Sequence, residues 1–213
     1  MKTLPEKTIE RLSVYRRTLL TCLSNGKNYI YSHELANLHN ITAVQVRRDI
    51  MLIGYSTTLK KGYDVKALVD LIGEILDSQK PIKVAVVGIG NLGRAITTYF
   101  KGKRSQLQIV AAFDTDTEKV NRVISGVKCY SMHDLKNIIN EQNISIAILT
   151  VPPDYASQVA ENLVTVGVTG ILNYTSVPVN VSSDIIVENY DMTTSLEKVA
   201  YYVKQKTEDE QKG

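Results

Sequence analysis

The sequence predicts an α/β protein in which a small N-terminal winged helix-turn-helix domain precedes a parallel sheet of the Rossmann type. Residues 1–62 are basic, with ten Lys and Arg against four Asp and Glu, whereas residues 63–213 carry fifteen against eighteen. From residue 82 onward, apolar runs typical of buried strands alternate with helical stretches. A glycine-rich turn, G-x-G-x-x-G, follows the first of those runs.

Two helices are predicted at the N-terminus. The first runs from Pro5 to about Ser24, because proline suits a first helical turn and Asn25-Gly26 supplies a stop. Apolar residues recur along it at helical spacing, namely Ile9, Leu12, Leu19 and Leu23. A shorter helix is predicted from Ser32, as its N-cap, to Leu38.

A third helix has the pattern of a DNA-reading helix. Thr42 and Gln45 form a capping box at its start, and Val46, Ile50 and Ile53 make its apolar face. The second helix of a helix-turn-helix enters the major groove, where Arg pairs with guanine and Gln with adenine. The predicted DNA-binding residues are therefore Thr42, Ala43, Gln45, Arg47 and Arg48. The alternative for the two arginines is a solvated helix face.

A hairpin is predicted next, with residues 55–59 and 63–65 flanking Lys60, Lys61 and Gly62. The two lysines could meet phosphates or the minor groove, or form an ordinary charged turn. A helix over Val65–Leu76 then leads to the polar stretch Ser78–Pro81. We therefore divide the chain into a winged-helix domain (1–80), a Rossmann domain (81–190) and a C-terminal helix and tail (191–213).

Six strands are predicted in the second domain: Ile82–Val87, Leu107–Phe113, Val127–Tyr130, Ile144–Val151, Thr169–Tyr174 and Ile185–Asn189. Helices fill most of the gaps, including one over Ser131–Asn140. The last helix is expected to begin at a capping box formed by Thr194 and Glu197. Its apolar stripe consists of Leu196, Val199, Ala200 and Val203.

The glycine-rich turn is typical of a dinucleotide site. Gly88 permits a tight turn, Gly90 lets backbone amides reach a pyrophosphate, and Gly93 lets helix and strand pack closely. Asp114 ends the next strand, 21 residues beyond Gly93, where its carboxylate can accept the adenosine ribose hydroxyls. Its charge favours NAD(H) over NADP(H). Coenzyme A, or no ligand at all, remains the alternative.

These stretches together resemble the Rex family of bacterial redox-sensing transcriptional repressors. The resemblance covers nearly the whole chain, and the stretches that carry it are 11–15, 43–49, 62–65, 87–93, 113–114, 151–152 and 170–174. The chain departs from the usual family pattern at Ser13, in its short wing, at Thr175-Ser176 and at Met192.

The resemblance implies a homodimer that exchanges its C-terminal helices, binds an inverted-repeat operator and releases it when NADH rises. It implies that Tyr99 lies beside the nicotinamide, that Asp191 precedes the exchanged helix, and that Arg17 lies near the domain interface. The cofactor-binding residues expected for NADH and NAD⁺ are Gly88, Ile89, Gly90, Asn91, Leu92, Gly93, Tyr99, Asp114, Thr150, Val151, Pro152 and Asp191.

Other classes of protein fit the sequence less well. Cys22 and Cys129 match no metal-ligand spacing, and two lone thiols are typical of the cytoplasm. No apolar run has the length of a membrane span. A small NAD-dependent dehydrogenase is the remaining alternative, but the three histidines, His33, His39 and His133, lie away from any recognisable substrate pocket. We therefore expect no catalytic residues and no enzyme.

Overall fold

A computed structural model describes residues 3–56, 61–102 and 106–210 of the chain. The chain divides into two compact units, Met1–Gln79 and Lys80–Gly213.

The first unit is a helical domain with one small sheet. Its helices are α1 (Glu6–Ser24), α2 (Ser32–Leu38), α3 (Ala43–Leu52) and α4 (Val65–Leu76). Its two strands, β1 (Tyr29–Ile30) and β2 (Tyr63–Asp64), pair antiparallel. The apolar faces of all four helices meet in one core, whose largest fully buried members are Tyr15, Leu12, Leu19, Ile30, Leu35, Ile50, Leu68 and Ile72.

Only the second strand of the predicted hairpin lies fully within the described residues. The partner of β2 is β1, a two-residue strand that is too short to show an alternating pattern in sequence. Gly62 explains the close approach, because its φ is +91° and an added Cβ would lie 2.6 Å from the Ile30 carbonyl oxygen. Residues 57–60, which include Lys60, lie outside the described residues.

The helix starts follow the predicted chemistry in part. The Thr42 hydroxyl accepts a hydrogen bond from the Gln45 backbone N–H at 3.1 Å, as the capping box predicts. Among the described residues no reciprocal bond joins the Gln45 side chain to the Thr42 N–H, and the Gln45 amide nitrogen donates to Asp49. At α2 the N-cap is Tyr31 rather than Ser32, and the Glu34 carboxylate accepts from the Tyr31 N–H.

The second unit is built on a seven-stranded sheet. Its strands are β3 (Ile82–Val87), β4 (Leu107–Asp114), β5 (Val123–Ile124), β6 (Val127–Ser131), β7 (Ile144–Leu149), β8 (Gly170–Asn173) and β9 (Ile186–Asn189). They lie in the order β5-β6-β4-β3-β7-β8-β9, and every neighbouring pair is parallel except β5 and β6. The strand order reverses at β3, where a doubly wound sheet opens its ligand crevice at the carboxyl ends.

The helices of the second unit are α5 (Asn91–Phe100), α6 (Leu135–Gln142), α7 (Pro153–Thr165) and α8 (Met192–Glu210), with a 3₁₀ turn at Met132–Asp134. Apolar side chains from the two sides of the sheet form separate clusters, one with α6 and α7 and one with α5. The predicted fold class, a winged helix-turn-helix followed by a Rossmann-type domain, is confirmed.

Helix α8 packs into neither cluster. Its apolar stripe is exposed, with 71% of Leu196, 58% of Val199 and 60% of Val203 accessible. The predicted Thr194 box does not open it. The capping residue is Asp191, three residues earlier, because its carboxylate accepts hydrogen bonds from the backbone N–H groups of Thr193 and Thr194 at 2.9 and 3.1 Å.

Candidate cofactor site and DNA-reading helix

The glycine-rich turn between β3 and α5 has the geometry of a phosphate loop. Gly88 has φ +91°, and an added Cβ would lie 2.7 Å from the Thr150 carbonyl oxygen. A Cβ on Gly93 would collide with the Gly88 carbonyl oxygen. A Cβ on Gly90, by contrast, would meet no protein atom within 4 Å and would project into open space. Gly88 and Gly93 therefore let the turn pack closely, and Gly90 leaves room for a ligand.

The start of α5 supplies hydrogen-bond donors to that space. Its N-cap is Gly90, and no side chain caps the helix. The backbone N–H groups of a first helical turn have no partner within the helix, and they carry a partial positive charge. This end of α5 therefore suits an anion such as a pyrophosphate.

Thr150 connects the turn to the neighbouring strand. Its hydroxyl donates to the Gly88 carbonyl oxygen at 2.7 Å and lies 3.1 Å from that of Val87. Since Thr150 directly follows β7, this contact joins the carboxyl ends of β3 and β7. The predicted strand Ile144–Val151 is thus too long by two residues, and those two form the loop at the site.

Asp114 is held firmly at the carboxyl end of β4. Its Oδ2 accepts from the Ile89 N–H at 3.0 Å and from Lys119 Nζ at 3.1 Å, and its Oδ1 accepts from the Asp116 N–H at 2.9 Å. The side chain is 90% buried. Two lone pairs on each oxygen leave Oδ1 room for one further donor, such as a ribose hydroxyl.

A cavity of about 800 Å³ lies over these elements. Eight of the predicted cofactor residues line it: Gly88, Gly90, Asn91, Leu92, Asp114, Thr150, Val151 and Pro152. Four do not. Ile89 is buried in the core and Gly93 packs against the turn, so both shape the loop without lining the cavity.

The other two predicted residues, Tyr99 and Asp191, lie elsewhere on the second unit. Tyr99 is 60% exposed near the end of α5, with its ring 5.2 Å from that of Phe100. Asp191 caps α8, and hydrogen bonds from the Thr194 hydroxyl and backbone lower the pKa of its carboxyl group. Neither lines the cavity within the single chain.

Nine further residues line the cavity without having been predicted: Val87, Phe113, Thr115, Asp116, Lys119, Met132, Tyr155, Val159 and Asn162. Three of these, at 115, 116 and 119, follow β4 directly, so the position of Asp114 could have indicated them. Tyr155, Val159 and Asn162 share one side of α7, and no local pattern marks which side of that helix faces a ligand.

Helix α3 presents a mixed polar and apolar surface. Val44, Arg47, Arg48 and Met51 are exposed at helical spacing, while Ala43 and Gln45 are half-buried. Arg47 Nη1 donates to the Ser32 hydroxyl at 3.1 Å, which joins α3 to the start of α2. A helix with two adjacent exposed arginines can contact both base edges and phosphates.

Beneath that surface lies a buried carboxylate that the sequence pattern did not single out. Asp49 is fully buried and accepts from Arg11 Nε at 2.6 Å, Tyr15 Oη at 2.9 Å and Gln45 Nε2 at 2.9 Å. Burial by itself would raise the pKa of Asp49, but the hydrogen bonds from these partners lower it. The network fixes α3 to α1, which orients the reading helix.

Two remaining predicted residues lie on the first unit. Lys61 Nζ lies 6.0 Å from the centre of the Tyr29 ring, beside β1. Arg17 is exposed on α1. Burial lowers the pKa of His39, and the nearby charge of Arg17 lowers it further. Among the described residues, no group of three or more His, Cys, Asp or Glu is placed to hold a metal ion. Nor does any helix in the described ranges combine the length and apolar character needed to span a bilayer.

Comparison with known proteins bears on both units. Residues 3–50 match the model of a putative DNA-binding protein N-terminus, and residues 79–177 match that of a CoA binding domain. The redox-sensing transcriptional repressor Rex of Lactobacillus acidophilus is 36% identical over 97% of this chain and 98% of its own. That of Leuconostoc citreum is 38% identical, covering 94% and 93%.

Solved structures agree with this. The crystal structure of the Rex-family repressor RSP in complex with β-NAD⁺ and operator DNA is 29% identical, with a TM-score of 0.90 over 99% of this chain and 97% of that one. The structure of RSP with β-NADH has a TM-score of 0.87 and 28% identity over the full length of both.

The fold and the site together define a two-unit regulator, in which a helix-turn-helix domain is joined to a nucleotide-binding sheet. The chain belongs to the family of Rex redox-sensing transcriptional repressors.

Proposed function

We propose that this chain is a transcriptional repressor that binds inverted-repeat operator DNA as a homodimer and releases it when NADH binds. The observation that carries the proposal is the cavity at the strand-order reversal, in a chain that also holds a basic reading helix. The relatives named Rex are redox-sensing repressors, and RSP has been crystallised with both cofactors and with operator DNA.

NADH and NAD⁺ are the proposed ligands of the cavity. The pyrophosphate would lie against Gly90 and the start of α5, and the adenosine ribose against Asp114. The nicotinamide would then extend towards residues 150–152. The cofactor supplies a ring that is positively charged when oxidised and neutral when reduced. NADH can release the DNA only if it binds the released state of the repressor more tightly than the DNA-bound state.

The DNA-contacting residues proposed are those of the sequence prediction, Thr42, Ala43, Gln45, Arg47, Arg48, Lys60 and Lys61. The exposure of Arg47 and Arg48 on one side of α3 supports this assignment. Gln45 would read a base through atoms other than the amide hydrogen that it gives to Asp49. Action on DNA places the protein in the cytoplasm, where its two free cysteines would stay reduced.

The proposed dimer is formed by exchange of the C-terminal helix, residues 191–213. Its support is the exposed apolar stripe of α8, because such a stripe needs a partner surface. The second unit also has an uncovered apolar groove of about 250 Å³ over β7, β8 and β9, lined by Ile146, Ile148, Leu172 and Ile186 among others. A helix from a second copy would cover surface of this kind.

An operator gel shift with NADH and with NAD⁺ in parallel tests the proposal. We expect NADH to release the duplex at concentrations at which NAD⁺ does not. The matched variant is Asp114→Ala, which should still bind the duplex but lose the response to NADH, because the ribose contact is gone. If NADH leaves the wild-type complex unchanged, the proposed sensor function is wrong.

A second candidate ligand is coenzyme A, which the match to the CoA binding domain model favours. Isothermal titration of the same protein with NADH, NAD⁺ and acetyl-coenzyme A separates the two. Catalysis is not part of the proposal, in line with relatives that are transcriptional regulators. Turnover of NAD⁺ with a panel of alcohols, hydroxy acids and aldehydes would instead identify a dehydrogenase.

A further inference from the structure

The adenosine end of the cavity contains a charge cluster that Asp114 alone does not describe. Lys119 Nζ lies 3.1 Å from Asp114 Oδ2 and 3.3 Å from Asp116 Oδ2, so one ammonium group bridges two carboxylates. All three residues line the cavity. The side chain of Lys119 is 24% exposed and that of Asp116 is 44% exposed, so the bridge lies at the rim of the cavity, partly open to solvent.

Asp116 and Lys119 are both charged at neutral pH. A hydrogen bond from the Glu118 backbone N–H, followed by the contact with Lys119, lowers the pKa of Asp116. Burial acts to lower the pKa of Lys119, but the carboxylates of Asp114 and Asp116 raise it. The neighbouring Glu118 is paired with Arg122 at 3.2 Å on the exposed surface rather than with Lys119. The cluster therefore has one more negative than positive charge.

We propose that Asp116 is a specificity-determining residue, which keeps Lys119 neutralised and so excludes cofactors with a phosphate on the adenosine ribose. The inference rests on the proposed function, since it concerns the same cavity. The excluded class comprises NADP(H), with a 2′-phosphate, and coenzyme A, with a 3′-phosphate.

The physical reason is the balance of charge around a single cation. A ribose phosphate in a half-buried site needs a cationic partner to offset its lost hydration. Among the described residues that line the cavity, Lys119 is the one with a cationic side chain. Its ammonium group already faces two carboxylates, which would also repel the phosphate. Ribose hydroxyls have no such requirement and can be bound by Asp114.

The test measures binding of NADH, NADPH and coenzyme A to the full-length protein by isothermal titration. The variant is Asp116→Asn, which removes the charge but keeps the shape. The control is Glu118→Gln, which also removes one negative charge. Glu118 is two residues from Asp116 and is paired with Arg122. We expect Asp116→Asn to raise the affinity for NADPH relative to that for NADH by about tenfold, because one nearby like charge is lost. Glu118→Gln should alter neither.

A second variant shows whether the gain passes through the lysine. In Asp116→Asn with Lys119→Met, the improvement in NADPH binding should disappear, and in Asp116→Asn alone it should shrink as salt is raised. Thermal unfolding of each variant checks that the fold is intact. The inference is overturned if Asp116→Asn changes the NADH-to-NADPH affinity ratio no more than Glu118→Gln does. Failure of the wild type to bind NADH would instead overturn the proposed function.

Discussion

The buried Asp49 carboxylate is the residue on which the orientation of the reading helix depends. Three donors on two helices, Arg11, Tyr15 and Gln45, satisfy it without access to water. A buried charge is costly unless it is paired and hydrogen-bonded. Loss of one of these partners should therefore reduce stability more than loss of a partner in an exposed ion pair. Burial raises the pKa of Tyr15, and the hydrogen bond to the same Asp49 carboxylate raises it further.

Replacing Asp49 tests this role. Asp49→Ala leaves the Arg11 and Tyr15 donors without their acceptor, and we expect the free energy of unfolding of the first unit to fall by about 3 kcal/mol. The control is Asp70→Ala, which breaks the exposed Lys66–Asp70 pair of 2.6 Å and should cost less than about 0.5 kcal/mol. Urea unfolding followed by circular dichroism measures both, and equal losses would contradict the assignment.

The same residue predicts a dependence on pH. The pKa of Asp49 is lowered in the folded state, so its contribution to stability is present above the pKa of an unfolded aspartate, about 3.9. That contribution is lost as the pH falls through the folded value. The stability difference between wild type and Asp49→Ala should therefore be constant from pH 7 to 5 and shrink at still lower pH.

At the scale of elements, α3 and α8 leave a face exposed for opposite chemical reasons. The exposed face of α3 carries two arginines, which suits a polyanion. That of α8 carries leucine, valine and tyrosine, which suits another apolar surface. Each helix is capped by a side chain that precedes it, Thr42 and Asp191, so its start is set locally whatever it later binds.

Arg48→Ala should weaken operator binding by about 10- to 100-fold, the cost of one bidentate contact to a guanine. NADH binding should be unaffected, since the two units have separate cores. Lys66→Ala is the control, because it removes the same charge from an exposed site on α4. Gel shift and isothermal titration measure the two affinities. Loss of both affinities together in Arg48→Ala would indicate a misfolded protein rather than a lost contact.

A chain ending at Met192 lacks α8 and should be monomeric, because the apolar stripe that needs a partner is gone. The matched control ends at Thr207 and keeps the stripe of Leu196, Val199 and Val203 while losing the polar tail. Since α8 contributes to no core cluster of the single chain, both proteins should fold. Multi-angle light scattering reports the mass. A tight dimer from the shorter chain would exclude helix exchange as the basis of association.

For the whole molecule, the proposed function is a coupling between two binding events. Such a coupling is reciprocal: the factor by which NADH weakens operator binding must equal the factor by which the operator weakens NADH binding. A ligand that binds both states equally well shifts nothing, however tightly it binds. The two factors can be measured separately, by titrating DNA with and without NADH and NADH with and without DNA.

Arg17→Ala should bring that factor close to one while leaving each separate affinity nearly unchanged, if Arg17 transmits the signal as the family resemblance implies. The control is Arg122→Ala, which removes an exposed arginine from the second unit. Fluorescence titration of NADH in the presence and absence of an operator duplex gives the factor for each variant. An unaltered factor in Arg17→Ala would remove this residue from the coupling.

Local chemistry determined much of this protein. The extent of β3, the end of α2, the cap at Thr42 and the phosphate turn at Gly88 could be predicted, because each depends on residues close together in sequence. Likewise, Asp114 could be placed at the end of β4 by its distance from the turn. The family resemblance follows from the same stretches.

Only the tertiary structure decided which distant residues meet. The pairing of β2 with β1, the burial of Asp49 beneath α3 and the side of α7 that lines the cavity all join segments by packing. Short-range patterns of polarity indicate whether a side chain is buried, but they do not indicate which segment packs against it. The covering partner is set by how whole helices and strands pack together, and a one-dimensional pattern does not contain that information.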